Sequence, residues 1–267
     1  MSIPAAIVDG AVIAKRNLIK IKRVPEVLVF VLLSPIMFVL LFAYVFGSSI
    51  DIQGGSYREF LIAGIFAQTV IFGATFTGAG LADDMQKGII DRFRSLPMSR
   101  AAVVVGRTAS DVVYNVLSLS IMALTGLIVG WRIHNGPFDA ALGFGLLLLF
   151  AYAFSWVMAY VGLLVPSVEV INNASFMVIF PLTFVANTFV PSENLPTVLR
   201  VFAEWNPVSA VTQAARDLFG NIPAGTPEPT TWPLQNPVVY TLIWIVVIIA
   251  VFAPLSVRRY KKARLKG

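Results

Sequence analysis

Six stretches of this chain are long, apolar and almost free of charge, at residues 27–47, 59–81, 108–130, 140–165, 170–190 and 234–255. An α-helix needs about 20 residues to cross the ~30 Å hydrocarbon layer of a bilayer, and each stretch supplies that length. Composition agrees, since 57% of the 267 residues are hydrophobic and only 13% are charged. A soluble domain carries about a quarter charged residues. The expected fold is therefore an all-α integral membrane protein with six transmembrane helices. Ser34-Pro35 reads as a kink in the first and Pro254 as the end of the last.

The basic residues set the orientation. Lys15, Arg16, Lys20, Lys22 and Arg23 precede the first span. Lys87, Arg92, Arg94, Arg100 and Arg107 lie between the second and third, and Arg258, Arg259, Lys261, Lys262, Arg264 and Lys266 follow the sixth. Six crossings put these 16 of the 20 Lys and Arg residues on one side, leaving Arg58, Arg132, Arg200 and Arg216 on the other. Positive residues stay in the cytoplasm, so both termini are expected there. The net charge of +6 follows from this bias, and no basic region is large enough to hold a nucleic-acid duplex. The apolar run after Arg23 is too long for the core of a cleavable signal.

The inventory excludes several chemistries. With no cysteine and one histidine, neither thiol catalysis nor a zinc site can be assembled. His134 sits beside Asn135-Gly136-Pro137 and reads as an exposed turn residue. No lysine is followed by Ser or Thr, so the phosphate-binding loop of an ATPase cannot be written. Carboxylates in the spans are too few for acid–base work. No internal repeat is evident, which argues against an inverted-repeat transporter.

Two amphipathic segments flank the early spans. Over residues 3–23, Ile7, Ala11, Ala14, Leu18 and Ile21 form a stripe, with the basic cluster toward its C-terminal end. Anchoring to anionic headgroups is the expected main role of this segment. Over residues 83–95 a single helical rod would stack Met85, Ile89 and Phe93 with Leu96, turning Asp84, Lys87, Asp91 and Arg94 away from that face. Leu96-Pro97 ends it. Such a rod suits either insertion into a groove of a partner protein or rest on the lipid headgroups.

Residues 88–100, GIIDRFRSLPMSR, which begin within this rod, resemble the cytoplasmic signature of type-2 ATP-binding-cassette (ABC-2) exporter permeases, most of all the daunorubicin-resistance branch. Residues 191–196, PSENLP, with Trp205-Asn206-Pro207 after them, resemble the family's external hairpin between the fifth and sixth spans, placed here at 191–233. One departure is Ala82-Asp83-Asp84, where many relatives carry Glu. The resemblance implies an elbow helix within residues 1–26, a coupling loop at 82–101 and a separate ABC ATPase subunit that uses ATP and Mg, with no cofactor on this chain. It implies that Asp84, Lys87, Gly88, Ile89, Asp91, Arg92, Phe93, Arg94, Leu96 and Pro97 couple to that ATPase. It further implies a homodimer or a heterodimer with a related permease, in a bacterial plasma membrane.

Two aromatic stripes are candidates for a substrate path. Gln68, Phe72 and Phe76 share one face of the second span. Phe176, Phe180 and Phe184 share one face of the fifth, with Asn187 near its outer end. In relatives these two spans approach the dimer interface; rows of Phe also serve as lipid-facing or packing residues. Gly126 to Gly130 matches a close-packing motif within the subunit, and Arg107 with Asp111 reads as an ion pair. Asn172 and Asn173 read as a cap of the fifth span or as interhelical hydrogen-bonding groups. The expected function is export of a hydrophobic or amphipathic compound, a drug-like molecule or lipid, in multidrug efflux and antibiotic resistance. Polysaccharide export, a secondary transporter working without ATP and a non-transporting scaffold are the rivals.

Overall fold

The computed structural model describes residues 3–23, 33, 36–46, 56–95, 99, 101–165, 167–189, 192, 195–222 and 228–262. Its elements are helices α1 (Ile3–Arg23), α2 (Ile36–Val45), α3 (Tyr57–Gly73), α4 (Thr75–Gln86), α5 (Ile89–Ser95) and α6 (Ala102–Val129). They continue with α7 (Pro137–Gly162), α8 (Val168–Phe184), α9 (Thr197–Trp205), α10 (Pro207–Phe219), α11 (Trp232–Gln235) and α12 (Pro237–Lys262). Ala74 between α3 and α4 keeps helical dihedrals, so Tyr57–Gln86 is one rod of 30 residues.

Among the described residues four helices are long and apolar enough to cross a bilayer: α3–α4, α6, α7 and α12. The first and fifth predicted spans correspond to the shorter apolar helices α2 and α8. Residues 27–32 and the Ser34-Pro35 kink lie outside the described residues. One end of the bundle, termed the basic end, carries α1, Lys87, Arg92 and the end of α12. The other, the hairpin end, carries α9 and α10.

Local chemistry explains most helix limits. Ser167 caps α8 by accepting from the Val170 amide at 3.3 Å, one of the two roles expected of Asn172 and Asn173. Gly130 ends α6 at φ 107, a left-handed conformation that glycine adopts without strain. Helix α8 stops at Phe184, short of the expected residue 190. Its next turn is claimed by α10: the Asn187 amide donates to Ser209 Oγ at 2.9 Å, and Arg216 takes the Asn187 and Thr188 carbonyls. Helix α12 runs through Pro254 to Lys262 instead of ending there. A proline removes one backbone donor, and beyond it Ser256 Oγ donates to the Trp156 carbonyl at 3.1 Å while Tyr260 is buried.

Helices meet where side chains are small. Gly78 of α4 crosses Gly162 of α7, and Gly10 of α1 crosses Gly106 of α6, each at backbone contact. Polar groups of α6 fit the gaps that α3 and α4 leave. Arg107 lies over Gly80, Asp111 accepts from Thr77 Oγ1, and Asn115 stands over Gly73. Arg107 Nε is 3.8 Å from Asp111 Oδ1, in agreement with the expected ion pair. Gly126 packs on Ile62 and Trp131, within the subunit.

Helix α1 packs closely against α6. It buries Gly10, Ile13 and Asn17 along α6, with Asn17 Nδ2 donating to Ser110 Oγ at 3.2 Å. Val8, Val12 and Ile19 face outward, whereas the Ala11, Ala14 and Leu18 stripe does not form the buried face. The hairpin expected over 191–233 forms as α9 and α10 in its described part. The break at Trp205-Asn206-Pro207 is as expected, but α10 packs among α3, α7 and α12. Phe219 there joins Phe66, Trp131 and Phe144 in a knot with ring centroids 4.9–6.0 Å apart. His134 is exposed as expected, and its Nε2 pairs with Glu59 at 2.8 Å.

The Gly78–Gly162 crossing yields a test. A Cβ on Gly162 would run into the Gly78 backbone, which cannot swing aside. Gly162→Ala should cost about 1–3 kcal/mol by overpacking, read as a lower midpoint of thermal unfolding in detergent. Gly145, whose added Cβ would meet open space, should accept Ala with no such loss.

Candidate functional site

The rod expected over residues 83–95 is two helices. The Lys87 amide donates to the Asp83 carbonyl at 3.0 Å and the Gly88 amide to Met85 at 3.1 Å, closing α4. Gly88 then takes φ 65, and the chain leaves the α4 axis before α5 begins. The stripe Met85, Ile89, Phe93 requires an unbroken helix, and the glycine rotates the second half. Ile90, not Ile89, becomes the buried residue.

The apolar face of α5 is used inside the chain. Ile90 and Phe93 pack into a cluster with Ile13, Leu81, Val103, Val104, Trp156 and Tyr260. The Arg16 guanidinium lies 5.0 Å over the Phe93 ring and 2.7 Å from Asp84 Oδ2. Asp84 is therefore a buried anchor for α1, not an exposed residue of the corner. The Ser99 amide donates to Asp9 at 2.8 Å, a second tie to α1. Gln86, Lys87, Arg92 and Ser95 are exposed, Lys87 paired with Asp83 at 2.7 Å. Ile89 and Asp91 are half-buried. The Arg94 side chain, Leu96 and Pro97 lie outside the described residues.

The two aromatic stripes meet. A cavity of about 490 Å³ is lined by Gln68, Phe72 and Phe76 from α3 and α4, by Phe176 and Phe180 from α8, and by Phe38 and Tyr114. Phe72 and Phe176 approach to 6.4 Å between centroids, and Phe76 meets Tyr114 edge-on at 5.4 Å. Asn172, read as a capping or interhelical residue, lines the same space. Among the described lining residues none is charged. Thr75 Oγ1 and Ser175 Oγ are buried there with no partner among the described residues. Such walls stack flat apolar bodies and offer hydrogen bonds without an ion pair.

Phe184 and Asn187 do not line the cavity; they stand above it. A run of neighbouring rings leads from one cavity wall to the other. Phe38 meets Phe42 at 5.7 Å, Phe42 meets Phe189 at 4.9 Å, Phe189 meets Phe184 at 4.7 Å, and Phe184 meets Phe180 at 4.0 Å. The turn that carries Phe189 is held by α10. Arg216 Nε donates to the Phe60 carbonyl at 3.0 Å, Nη1 to Asn187 at 2.7 Å and Nη2 to Thr188 at 3.0 Å. Its guanidinium also lies 3.5 Å over the Phe60 ring. Burial pushes the Arg216 pKa down, to about 9, which leaves it charged at neutral pH. In the sequence Arg216 is one of four basic residues expected on the outer side. The available signal was its spacing, eight residues after Val208, which places a cation on the buried stripe of α10.

The sequence of the ABC-2 type transporter family matches residues 10–219. The chain is 31% identical over 246 residues to the daunorubicin resistance ABC transporter permease protein DrrB1 of Streptomyces coeruleorubidus, covering 92% of this chain and 83% of that one. It is 24% identical to the putative transport permease ycf38 of Cyanophora paradoxa, over 79% of this chain and 73% of that one. It is 22% identical to the probable doxorubicin resistance ABC transporter permease protein DrrC of Mycobacterium tuberculosis, over 86% of this chain and 79% of that one. The protein belongs to the ABC-2 type transporter family.

The anchor at α1 is testable. Asp84→Ala leaves the half-buried Arg16 without its carboxylate and should cost about 1–2 kcal/mol. The check is the thermal midpoint in detergent, with Asp84→Asn, which keeps an acceptor, losing less.

Proposed function

We propose that this chain is the membrane subunit of an ABC exporter that moves a hydrophobic or amphipathic compound outward across a bacterial plasma membrane. Six crossings with both termini in the cytoplasm accord with the strong excess of basic residues at one end of the bundle. Two such subunits, identical or related, pair with two ABC ATPase subunits, which bind the ATP and Mg that this chain has no phosphate loop to hold.

The observation that carries the reading is the aromatic, uncharged cavity between α3–α4 and α8. It suits a flat apolar cargo, and relatives named for daunorubicin and doxorubicin resistance support the same class. The ATPase docks on the polar corner at Lys87, Arg92 and Ser95, since Ile90 and Phe93 are spent within the chain. A push on α5 reaches α1 through Arg16 and α6 through the tie between Ser99 and Asp9. The Phe72–Phe176 wall then moves with α3–α4, which changes access to the cavity.

Efflux of daunorubicin, followed by its own fluorescence in cells that express this chain with its ATPase, tests the cargo. Phe176→Ala should slow efflux several-fold while the ATPase still copurifies. Lys87→Ala with Arg92→Glu should abolish copurification and efflux while leaving the unfolding midpoint of the purified chain unchanged. Daunorubicin efflux that persists without any ATPase would overturn the reading.

A further inference from the structure

Arg216 is the most deeply buried guanidinium among the described residues, at 1% exposure, and no step above uses it. It reaches three backbone carbonyls and no carboxylate oxygen within hydrogen-bonding distance among the described residues. A desolvated cation whose hydrogen bonds go to main-chain oxygens holds geometry, because the planar fork fixes all three acceptors at once. Two of the acceptors belong to the turn before Phe189 and the third to α3. The clamp therefore ties α8's end and α3's start together through α10.

That place lies directly over the cavity. The rings of Phe42, Phe189 and Phe184, in contact with one another, span its hairpin end, and Phe189 is the one that the turn carries. Tyr57 Oη donates to the Phe189 carbonyl at 3.3 Å, and Asn206 Nδ2 to Leu182 at 2.8 Å. Beside the clamp, Gly64 of α3 lies against the Thr188 carbonyl so closely that a Cβ would overlap it. The seal is thus a backbone contact, with Arg216 bonded to the same carbonyl oxygen.

We infer that Arg216 is the positioning residue of an outer gate: it holds the Phe42–Phe189–Phe184 lid shut over the cavity, and release of cargo requires the Asn187 and Thr188 carbonyls to leave it. This rests on the transport reading only for the word cargo, since the closure itself is a property of the fold. Arg216→Lys keeps the charge but offers no fork, so it satisfies fewer of the three carbonyls.

The chain has no cysteine, which permits a direct test on the full-length protein in spheroplasts. Ser175→Cys places one thiol in the cavity and Val198→Cys, at 82% exposure, one on α9. Each is treated with a membrane-impermeant cationic methanethiosulfonate from outside. Cys at 198 should react quickly in every background, and Cys at 175 slowly in the parent. Arg216→Gln should speed the reaction at 175 at least ten-fold, and Arg216→Lys by less. Gly64→Ala, which wedges the same contact from α3 with Arg216 intact, should also speed it. Fast labelling at 175 in the parent overturns the gate by itself. So does an unchanged rate in any of these variants that retains the parent's unfolding midpoint. Labelling needs neither ATPase nor cargo, so absence of efflux with this labelling pattern counts against the transport reading and leaves the gate standing.

Discussion

Lipid tails are as apolar as leucine, so inside a bilayer close contact and hydrogen bonding hold one helix against another, with little help from the hydrophobic effect. The architecture of this protein answers to that constraint. Its helices cross at Gly78 and Gly162, at Gly10 and Gly106, and at Gly64 against the Thr188 carbonyl. Its buried polar groups are matched to the gaps those small residues leave. Arg107 fills the space beside Gly80, and Asp111 takes the Thr77 hydroxyl.

Three arginines divide the mechanical work by what they bond. Arg16 joins a carboxylate and an aromatic ring, and so ties α1 to both sides of the corner at Gly88. Arg107 donates to the Phe76 carbonyl at 2.6 Å and stiffens the wall beneath the cavity. Among the described residues Arg216 hydrogen-bonds only main-chain oxygens, with the Phe60 ring against its face, and braces the opposite end. The cavity lies between the last two, and its described lining is uncharged and largely aromatic. Ile90 and Phe93 of α5 are packed into a cluster with residues of α1, α6 and α7 rather than exposed.

Much of this was legible in the chain itself. Period and length gave the helices, and the spacing of Gln68, Phe72 and Phe76 against Phe176 and Phe180 gave two faces that do meet around one cavity. The stripe rule failed where a single backbone torsion intervened. At Gly88 a left-handed residue turned α5, so Ile90 replaced Ile89 as the inward group and Asp84 became an anchor instead of a contact. It also failed at α8, where Phe184 and Asn187 share the periodicity of the lining residues. The helix ends there because α10 competes for the backbone groups that would extend it.

Sequence alone determined the solvent of this protein and the resemblance to its family, because hydropathy, basic bias and motif order are properties of the chain read in one dimension. The tertiary structure decided which apolar residues are spent internally, where the cavity lies, and that α10 lies within the bundle. Those outcomes depend on which backbone carbonyls and ring faces are brought together across more than a hundred residues of chain, as Arg216 and Phe60 are. No local pattern encodes that meeting.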